Sequence, residues 1–252
     1  MKPIALQLYT VRELCAQDFA GTVKQVAEIG YQGVELAGLH GMAPKDFRAL
    51  ADDLGLKVCS AHMAMPTNEN AAQLLDEAKA LGNPLIISGV GPDNCKTVDL
   101  CRQAAETFLA ATEALKGSGV SFGFHNHWWE FQKVEGQLPH DILMAGAPDA
   151  FPEIDVYWCQ YGGCDAAEQV ARKKGRAPVL HIKDGPLVPD QPQPHTAVGK
   201  GKMNMPAVIA AADPNVLKWL IVELDSCATD MMQAVIDSYQ YMTENGLAAG
   251  NK

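Results

Sequence analysis

The sequence predicts an α/β protein whose eight parallel strands close into a single (β/α)8 TIM barrel, one domain over residues 1–252. Short apolar runs alternate with segments of helical periodicity along the whole chain, and such alternation predicts a parallel sheet. About eight strand–helix units fit a chain of 252 residues, which favours a closed barrel. An open doubly wound sheet would normally carry a glycine-rich phosphate turn after its first strand, and Tyr9-Thr10-Val11-Arg12 is not such a turn.

The predicted strands are short apolar runs, and glycine stands before several of them where the preceding helix ends. Such glycines suit the left-handed cap that closes a helix, and they are Gly30, Gly55, Gly82 and Gly119. The eight runs are Ile4–Tyr9, Gly33–Leu36, Lys57–His62, Pro84–Ser88, Ser121–His125, Phe151–Val156, Val179–Lys183 and Trp219–Glu223. Apolar residues with helical spacing lie between these runs, for example in residues 98–115 and 231–242.

Charge and cysteine content exclude several classes of function. The net charge of −10 and the pI near 5.1 disfavour a nucleic-acid partner, because a polyanion is repelled. No apolar run approaches the roughly 18 residues that a membrane span needs, so no membrane partner is expected. The seven cysteines are scattered without a Cys-x-x-Cys pair, which favours a reducing, cytoplasmic location. We expect a small-molecule substrate, and the composition leaves a homo-oligomer open.

Polar and ionisable residues stand at the C-terminal ends of the predicted strands, where the active site of a TIM barrel lies. A buried charge is costly unless it is paired or bound to a metal, so their convergence on one rim predicts a functional site. Carboxylates mixed with imidazoles favour a divalent metal as cofactor, namely Mn²⁺, Co²⁺, Zn²⁺, Fe²⁺ or Mg²⁺. The residues are Gln7, Tyr9, Arg12, Glu35, His62, His125, Asn126, His127, Glu130, Asp155, Trp158, Gln160, His181, Lys183, Asp184, Glu223 and Asp225.

Six short motifs occur in order, each on its expected strand. They are Leu6–Arg12, Gly30–Glu35, His125–Phe131, Asp155–Trp158, His181–Gly185 and Val222–Asp225. Through these motifs the whole chain resembles the xylose isomerase-like TIM-barrel superfamily, in its branch of sugar phosphate isomerases and epimerases. The resemblance implies a metal-dependent enzyme that acts on a small sugar or polyol.

The resemblance implies four metal ligands, one from each of strands five to eight. Three of them match this chain directly, namely Asp155, His181 and Glu223. Strand five departs from the pattern, because residues 125–127 are His-Asn-His where many relatives have Glu-Asn-His. Two candidates remain for the fourth ligand: Glu130, which we favour because it is a carboxylate, and His125.

The resemblance also implies an acid–base group beside the metal. His127 matches the histidine of that pattern, and Glu35 is a second candidate for proton transfer. Lys183 has two interpretations: it donates to a substrate oxygen as a catalytic residue, or it forms a strand-end salt bridge with Asp184.

Substrate contacts are expected from residues around the same rim. Arg12 binds a phosphate or carboxylate, or else forms a rim salt bridge with Glu13 or Glu35. Trp158 offers an apolar face to a sugar ring, or else packs at the barrel top. Further substrate-binding candidates are Tyr9, His62 and Asn126. Three histidines are expected at the surface, namely His40, His140 and His195.

Two functional hypotheses share one first step. In the first, an isomerase or epimerase deprotonates a small sugar or keto-sugar next to its carbonyl, and the resulting enediolate is reprotonated elsewhere. In the second, a dehydratase or lyase acts on a keto-inositol or 3-keto-glycoside, and the enediolate expels a β-oxygen. A DNA-repair endonuclease with this barrel is disfavoured by the acidic charge. A non-catalytic binding protein is disfavoured because three of the four metal ligands are present.

Overall fold

The computed structural model describes residues 1–189 and 193–252, and its strands form the predicted closed parallel barrel. The barrel strands are β1 (Lys2–Gln7), β2 (Gly33–Leu36), β3 (Lys57–His62), β4 (Leu85–Ser88), β5 (Ser121–His125), β6 (Phe151–Asp155), β7 (Val179–Ile182) and β8 (Trp219–Val222). Neighbouring strands pair in chain order, and β1 pairs with both β2 and β8, which closes the ring. A short strand, β9 (Ala248–Ala249), pairs in parallel with the start of β1.

Helices surround the ring of strands. In the described part of the chain they are α1 (Arg12–Gln17), α2 (Phe19–Ile29), α3 (Pro44–Asp53), α4 (Ala71–Leu81), α5 (Val98–Ala114), α6 (Pro139–Gly146), α7 (Val156–Tyr161), α8 (Ala166–Arg172), α9 (Met205–Ala211) and α10 (Met231–Glu244). Side chains of Asp18, Asp165 and Asp230 cap the first turns of α2, α8 and α10. No helix within residues 1–189 and 193–252 is long and apolar enough to cross a membrane.

Strand β1 ends earlier than predicted. The Gln7 side chain accepts a hydrogen bond from the Tyr9 backbone N–H at 2.9 Å and starts a 3-10 helix over Leu8–Val11. Tyr9 therefore stands above the strand instead of in it. Gly30, Gly55 and Gly82 follow the ends of helices with positive φ, as predicted, and Gly82 after α4 has the left-handed conformation with φ of 68°. Gly119 also has positive φ, but it lies beyond the end of α5 at Ala114 and does not cap that helix.

The barrel interior is filled in layers, because alternate residues of a strand face the same side. An apolar layer lies nearest the N-terminal ends and consists of Ala5, Cys59, Leu85, Ile87, Phe151, Val179 and Ile221. Two residues further along β6, β7 and just past β8 lie Glu153, His181 and Glu223, all buried. The fold thus sets a layer of ionisable side chains directly above an apolar floor.

His140 is buried, so its predicted surface position is wrong. It lies on α6 on the same helix face as the core residues Leu143 and Met144, three and four positions later. Its ring stacks on Phe131 at a centroid distance of 4.5 Å and lies 5.1 Å from Phe124. Neither ring nitrogen has a hydrogen-bond partner among the described residues. Burial lowers the pKa of His140 to about 3.

We expect His140→Leu to raise the free energy of unfolding and to flatten its pH dependence. The pKa of an unfolded histidine is about 6.5, whereas the folded pKa of His140 is about 3. Protonation therefore favours the unfolded chain. The contribution of neutral His140 to the free energy of unfolding is fully present above about pH 6.5, and it is lost as the pH falls toward the folded pKa. The loss reaches about 1.4 kcal/mol per pH unit. Urea unfolding of both proteins between about pH 4 and pH 8 measures the difference.

The exposed His40 provides the matched control. His40→Leu makes the same substitution at an exposed position, so a change of slope confined to His140→Leu is assigned to the buried imidazole. Equal slopes for wild type and His140→Leu would contradict the prediction.

Candidate active site

The C-terminal strand ends bring most of the predicted polar residues into one buried cluster above the apolar floor. Glu35, Asp155 and His181 are fully buried, and Glu223 and His125 are nearly so. Metal-ligating atoms form two overlapping groups, in each of which all atoms lie within 4.8 Å of one another. We name them the outer group, which is His125, Asp155, His181 and Glu223, and the inner group, which is His62, His125, Glu153 and His181.

His181 stands between the two groups and turns one ring nitrogen toward each. Its Nδ1 lies 2.8 Å from Glu223 Oε2, and its Nε2 lies 2.6 Å from Glu35 Oε1. Glu35 is held in turn by Gln7 Nε2, which donates at 2.7 Å, and by the Ser60 hydroxyl. Both oxygens of Glu35 are thus engaged inside the barrel, where they fix the orientation of the His181 ring.

Lys183 is fully buried among three carboxylates. Its Nζ lies 2.8 Å from Asp155 Oδ2, 2.9 Å from Glu223 Oε2 and 2.9 Å from Asp225 Oδ2. Burial alone would lower the pKa of Lys183, but the three carboxylates raise it well above its ordinary value. The alternative interpretation, a salt bridge between Lys183 and Asp184, does not occur within residues 1–189 and 193–252. The ammonium therefore points into the outer group.

The loop after β5 carries His127 to the edge of the cluster. Its ring stacks on Trp129 at a centroid distance of 4.2 Å and remains partly exposed. Burial, together with the nearby His125 and Lys183, lowers the pKa of His127 to about 3. Asn126 fixes this loop through two hydrogen bonds to the Asp155 backbone. Its Oδ1 accepts from Asp155 N at 3.0 Å, and its Nδ2 donates to Asp155 O at 3.3 Å. Asn126 therefore has a structural use besides its predicted contact with substrate.

Glu130, the favoured fourth ligand at the sequence level, lies behind the loop. Its Oε2 accepts the His127 backbone N–H at 2.9 Å, and the residue is fully buried. It belongs to neither the outer nor the inner group. Burial raises the pKa of Glu130 to about 8. His125, the second candidate, belongs to both groups.

Arg12 and Tyr9 form the outer rim. The Arg12 guanidinium lies 4.2 Å from the centroid of the Tyr9 ring, which is 43% exposed. The guanidinium donates to the backbone oxygens of Tyr9 and Asp225, each at 2.9 Å. No salt bridge from Arg12 to Glu13 or Glu35 occurs among the described residues.

Trp158 is 6% exposed, which favours packing over a sugar-facing role. Its Nε1 donates to Asp225 Oδ2 at 3.1 Å, and its ring centroid lies 5.3 Å from Lys183 Nζ. His195 packs against it at 5.1 Å and is also buried, so its predicted surface position is wrong. His195 is buried because of a tertiary contact: its Nδ1 accepts the Asp225 backbone N–H at 3.1 Å.

Glu153 is the cluster residue that the sequence analysis missed. Its Oε2 lies 2.9 Å from His62 Nε2, and His62 also faces Glu35 Oε1 at 3.3 Å. Burial would lower the pKa of His62, but these two carboxylates raise it to about 10. The signal was present in the sequence, because Glu153 precedes Asp155 by two positions and alternation puts both on one strand face.

Several solved structures have the same fold. A sugar phosphate isomerase/epimerase from Parabacteroides distasonis ATCC 8503 is 24% identical, covering 98% of this chain and 96% of that one, with a TM-score of 0.81. The probable 3-DHS dehydratase AsbF from Bacillus anthracis is 12% identical over 96% and 99% of the two chains, with a TM-score of 0.75. IolI protein with a bound zinc atom is 11% identical over 98% of each chain, with a TM-score of 0.75.

At these identities, the likeness establishes the fold of the chain. No curated protein matches it. The profile of the xylose isomerase-like TIM barrel family matches residues 23–244, which is most of the sequence. The chain therefore belongs to the xylose isomerase-like TIM barrel family.

Proposed function

We propose that the protein is a divalent-metal-dependent isomerase or epimerase that acts on a small sugar or keto-sugar. The observation that carries this proposal is the outer group, whose two imidazoles and two carboxylates offer ligand atoms within 4.8 Å of one another. Its position at the C-terminal end of the barrel is the usual place for catalysis in this fold. The sugar phosphate isomerase/epimerase with the same fold supports the proposed reaction class.

The proposed ligands are His125, Asp155, His181 and Glu223. This donor set suits Mn²⁺, Co²⁺, Zn²⁺, Fe²⁺ or Mg²⁺, and the zinc atom bound by IolI supports the choice of a divalent ion. We assign His125 in preference to Glu130, because Glu130 accepts a backbone N–H and lies outside the group. When bound, such an ion polarises a substrate carbonyl and stabilises negative charge on its oxygen.

His127 is the proposed proton-transfer residue. Its imidazole lies at the edge of the cluster beside His125, and the Trp129 ring holds it in one orientation. It removes the proton from the carbon beside the substrate carbonyl and returns it to a new face or position. Glu35 receives a positioning role, since both of its oxygens are engaged within the barrel.

Lys183 is the proposed donor to a substrate oxygen. Its ammonium already lies at the outer group, and the barrel excludes water around it, so a hydrogen bond to developing negative charge is strong there. The proposed substrate is a small molecule, and the net charge of −10 disfavours binding of nucleic acid.

The position of Lys183 also favours the second candidate, a dehydratase or lyase acting on a keto-inositol or 3-keto-glycoside. Such an enzyme needs two proton carriers, a base for the carbon and an acid for the departing β-oxygen. His127, in the loop after β5, and Lys183, just after β7, would supply these two groups.

Loss of a ligand should weaken metal binding far more than loss of a neighbouring carboxylate. We expect Glu223→Gln and His125→Ala each to reduce Co²⁺ affinity by more than about 100-fold, because each removes a bond to the ion. Glu130→Ala should change it little. Titration calorimetry on metal-stripped protein measures these affinities. Metal loss in Glu130→Ala with binding intact in His125→Ala would reverse our assignment of the strand-five ligand.

Loss of the base should spare metal binding and slow the chemistry. His127→Ala is expected to keep wild-type metal content and to lower kcat by about 10²–10⁴-fold, the usual contribution of a general acid–base group. The assay is NMR in D₂O with keto-sugars, keto-inositols and 3-keto-glycosides, which reports product and deuterium incorporation together.

The deuterium pattern separates the two candidate reactions. Slowed exchange at the substrate carbon in His127→Ala places this residue at the first deprotonation. Unchanged exchange with lost product moves it to protonation of a leaving oxygen and favours the lyase. Full exchange together with full turnover would remove His127 from catalysis.

A further inference from the structure

Glu153 lies beside His125, because the two residues are register partners on the neighbouring strands β6 and β5. It is fully buried on β6, and its Oε2 lies 3.2 Å from His125 Nδ1. Its other oxygen, Oε1, has no hydrogen-bond partner among the described residues. We propose that Glu153 is a positioning residue that enables His125, an imidazole, to serve as metal ligand where many relatives have a carboxylate. This inference rests on the proposed metal site.

The proposal concerns the metal-bound state, in which a coordinating imidazole is neutral and carries one proton. His181 Nε2 donates to Glu35 Oε1, its nearest acceptor at 2.6 Å, and His62 Nε2 donates to Glu153 Oε2 at 2.9 Å. His125 Nδ1 lies 3.2 Å from Glu153 Oε2, which is within ion-pair distance, and it has no hydrogen-bond partner among the described residues, so Glu153 is the acceptor available to its proton. Each ring keeps one nitrogen with a free lone pair, which is the form that binds a metal.

The carboxylate beside His125 offsets a missing charge. With His125 in place of a glutamate, the outer group contains two carboxylates, Asp155 and Glu223, and two neutral rings. A carboxylate that accepts the distal N–H of a metal-bound imidazole fixes its tautomer and makes its lone pair more basic. Glu35 occupies that place for His181 through a hydrogen bond, and Glu153 lies within ion-pair distance of His125 Nδ1 on the corresponding side.

A competing interpretation makes the inner group a second metal site, since its ligand atoms also lie within 4.8 Å of one another. The proton assignment above accounts for these contacts without a second ion. The two interpretations differ in stoichiometry: the positioning role predicts one ion per chain, and a second site predicts two.

The test compares Co²⁺ binding in wild type, Glu153→Gln and the same substitution in a His125→Glu background. In the natural background, Glu153→Gln removes charge and keeps shape, and we expect affinity to fall about 10- to 100-fold. The visible absorption bands of bound Co²⁺ should also shift, since His125 becomes a weaker donor. In the His125→Glu background, only His62 and His181 still contact Glu153, so the substitution should cost clearly less affinity, and the difference between the two backgrounds is the part that acts through His125.

The controls separate positioning from general electrostatics and from misfolding. Glu130→Gln replaces another fully buried carboxyl group, which controls for the loss of a buried acidic side chain, and it should leave both affinity and spectrum unchanged. Glu153→Asp keeps the charge but withdraws it from His125, and it should weaken binding if contact matters. Circular dichroism verifies that each variant is folded.

Four outcomes would overturn the inference. An equal loss of affinity in both backgrounds would mean unspecific electrostatics, and two ions per chain would mean a second metal site. Unchanged affinity and spectrum in Glu153→Gln, with binding weakened in Glu223→Gln, would reject the inference alone. Absence of Co²⁺ binding by the wild type would reject the proposed metal site together with it.

Discussion

The structure depends on one constraint: at the C-terminal end of the barrel, several carboxylates lie close to a single buried ammonium group. In the described residues that group is Lys183, which lies among Asp155, Glu223 and Asp225. Glu35 and Glu153 are also fully buried, and both contact His181. Where water is excluded, such charges repel strongly unless imidazoles, hydrogen bonds or a cation separate them. A closed barrel can hold them, because every strand is fixed by neighbours on both sides and by an apolar floor.

A second set of polar residues holds the loops around this centre by bonding to backbone. The Asp184 carboxylate accepts backbone N–H groups from Gly185, Gly199, Gly201 and Met203. A Cβ at Gly201 would collide with that carboxylate, which explains the glycine there. Asn126 bonds the Asp155 backbone, and Thr10 Oγ1 accepts from Leu224 N at 3.0 Å. Strand-end polar residues thus divide into those that face the centre and those that support it, a division that chain position does not reveal.

The fold was predictable because strand and helix periodicity repeats along the chain, and the rim was predictable because charge is rare within apolar strands. What remained hidden depends on side-chain direction and on contacts far apart in sequence. Glu153 could have been found from its alternation with Asp155. By contrast, the burial of His195 depends on Asp225, thirty positions later. Glu130 was favoured for its chemistry, but its short connection to the loop turns it toward the His127 backbone.

The exchange of a carboxylate for His125 has a consequence for reactivity. A carboxylate ligand neutralises part of an ion's charge, whereas an imidazole leaves that charge available to a substrate oxygen. In the proposed metal site the cost is weaker attraction between ion and protein, which the proposed role of Glu153 beside His125 offsets. Charge moved from a coordinating atom to a neighbouring carboxylate would still retain the cation, but it would oppose negative charge on the substrate less directly. In this proposal Glu153 helps to hold the ion, and the ion keeps more of its charge for the substrate.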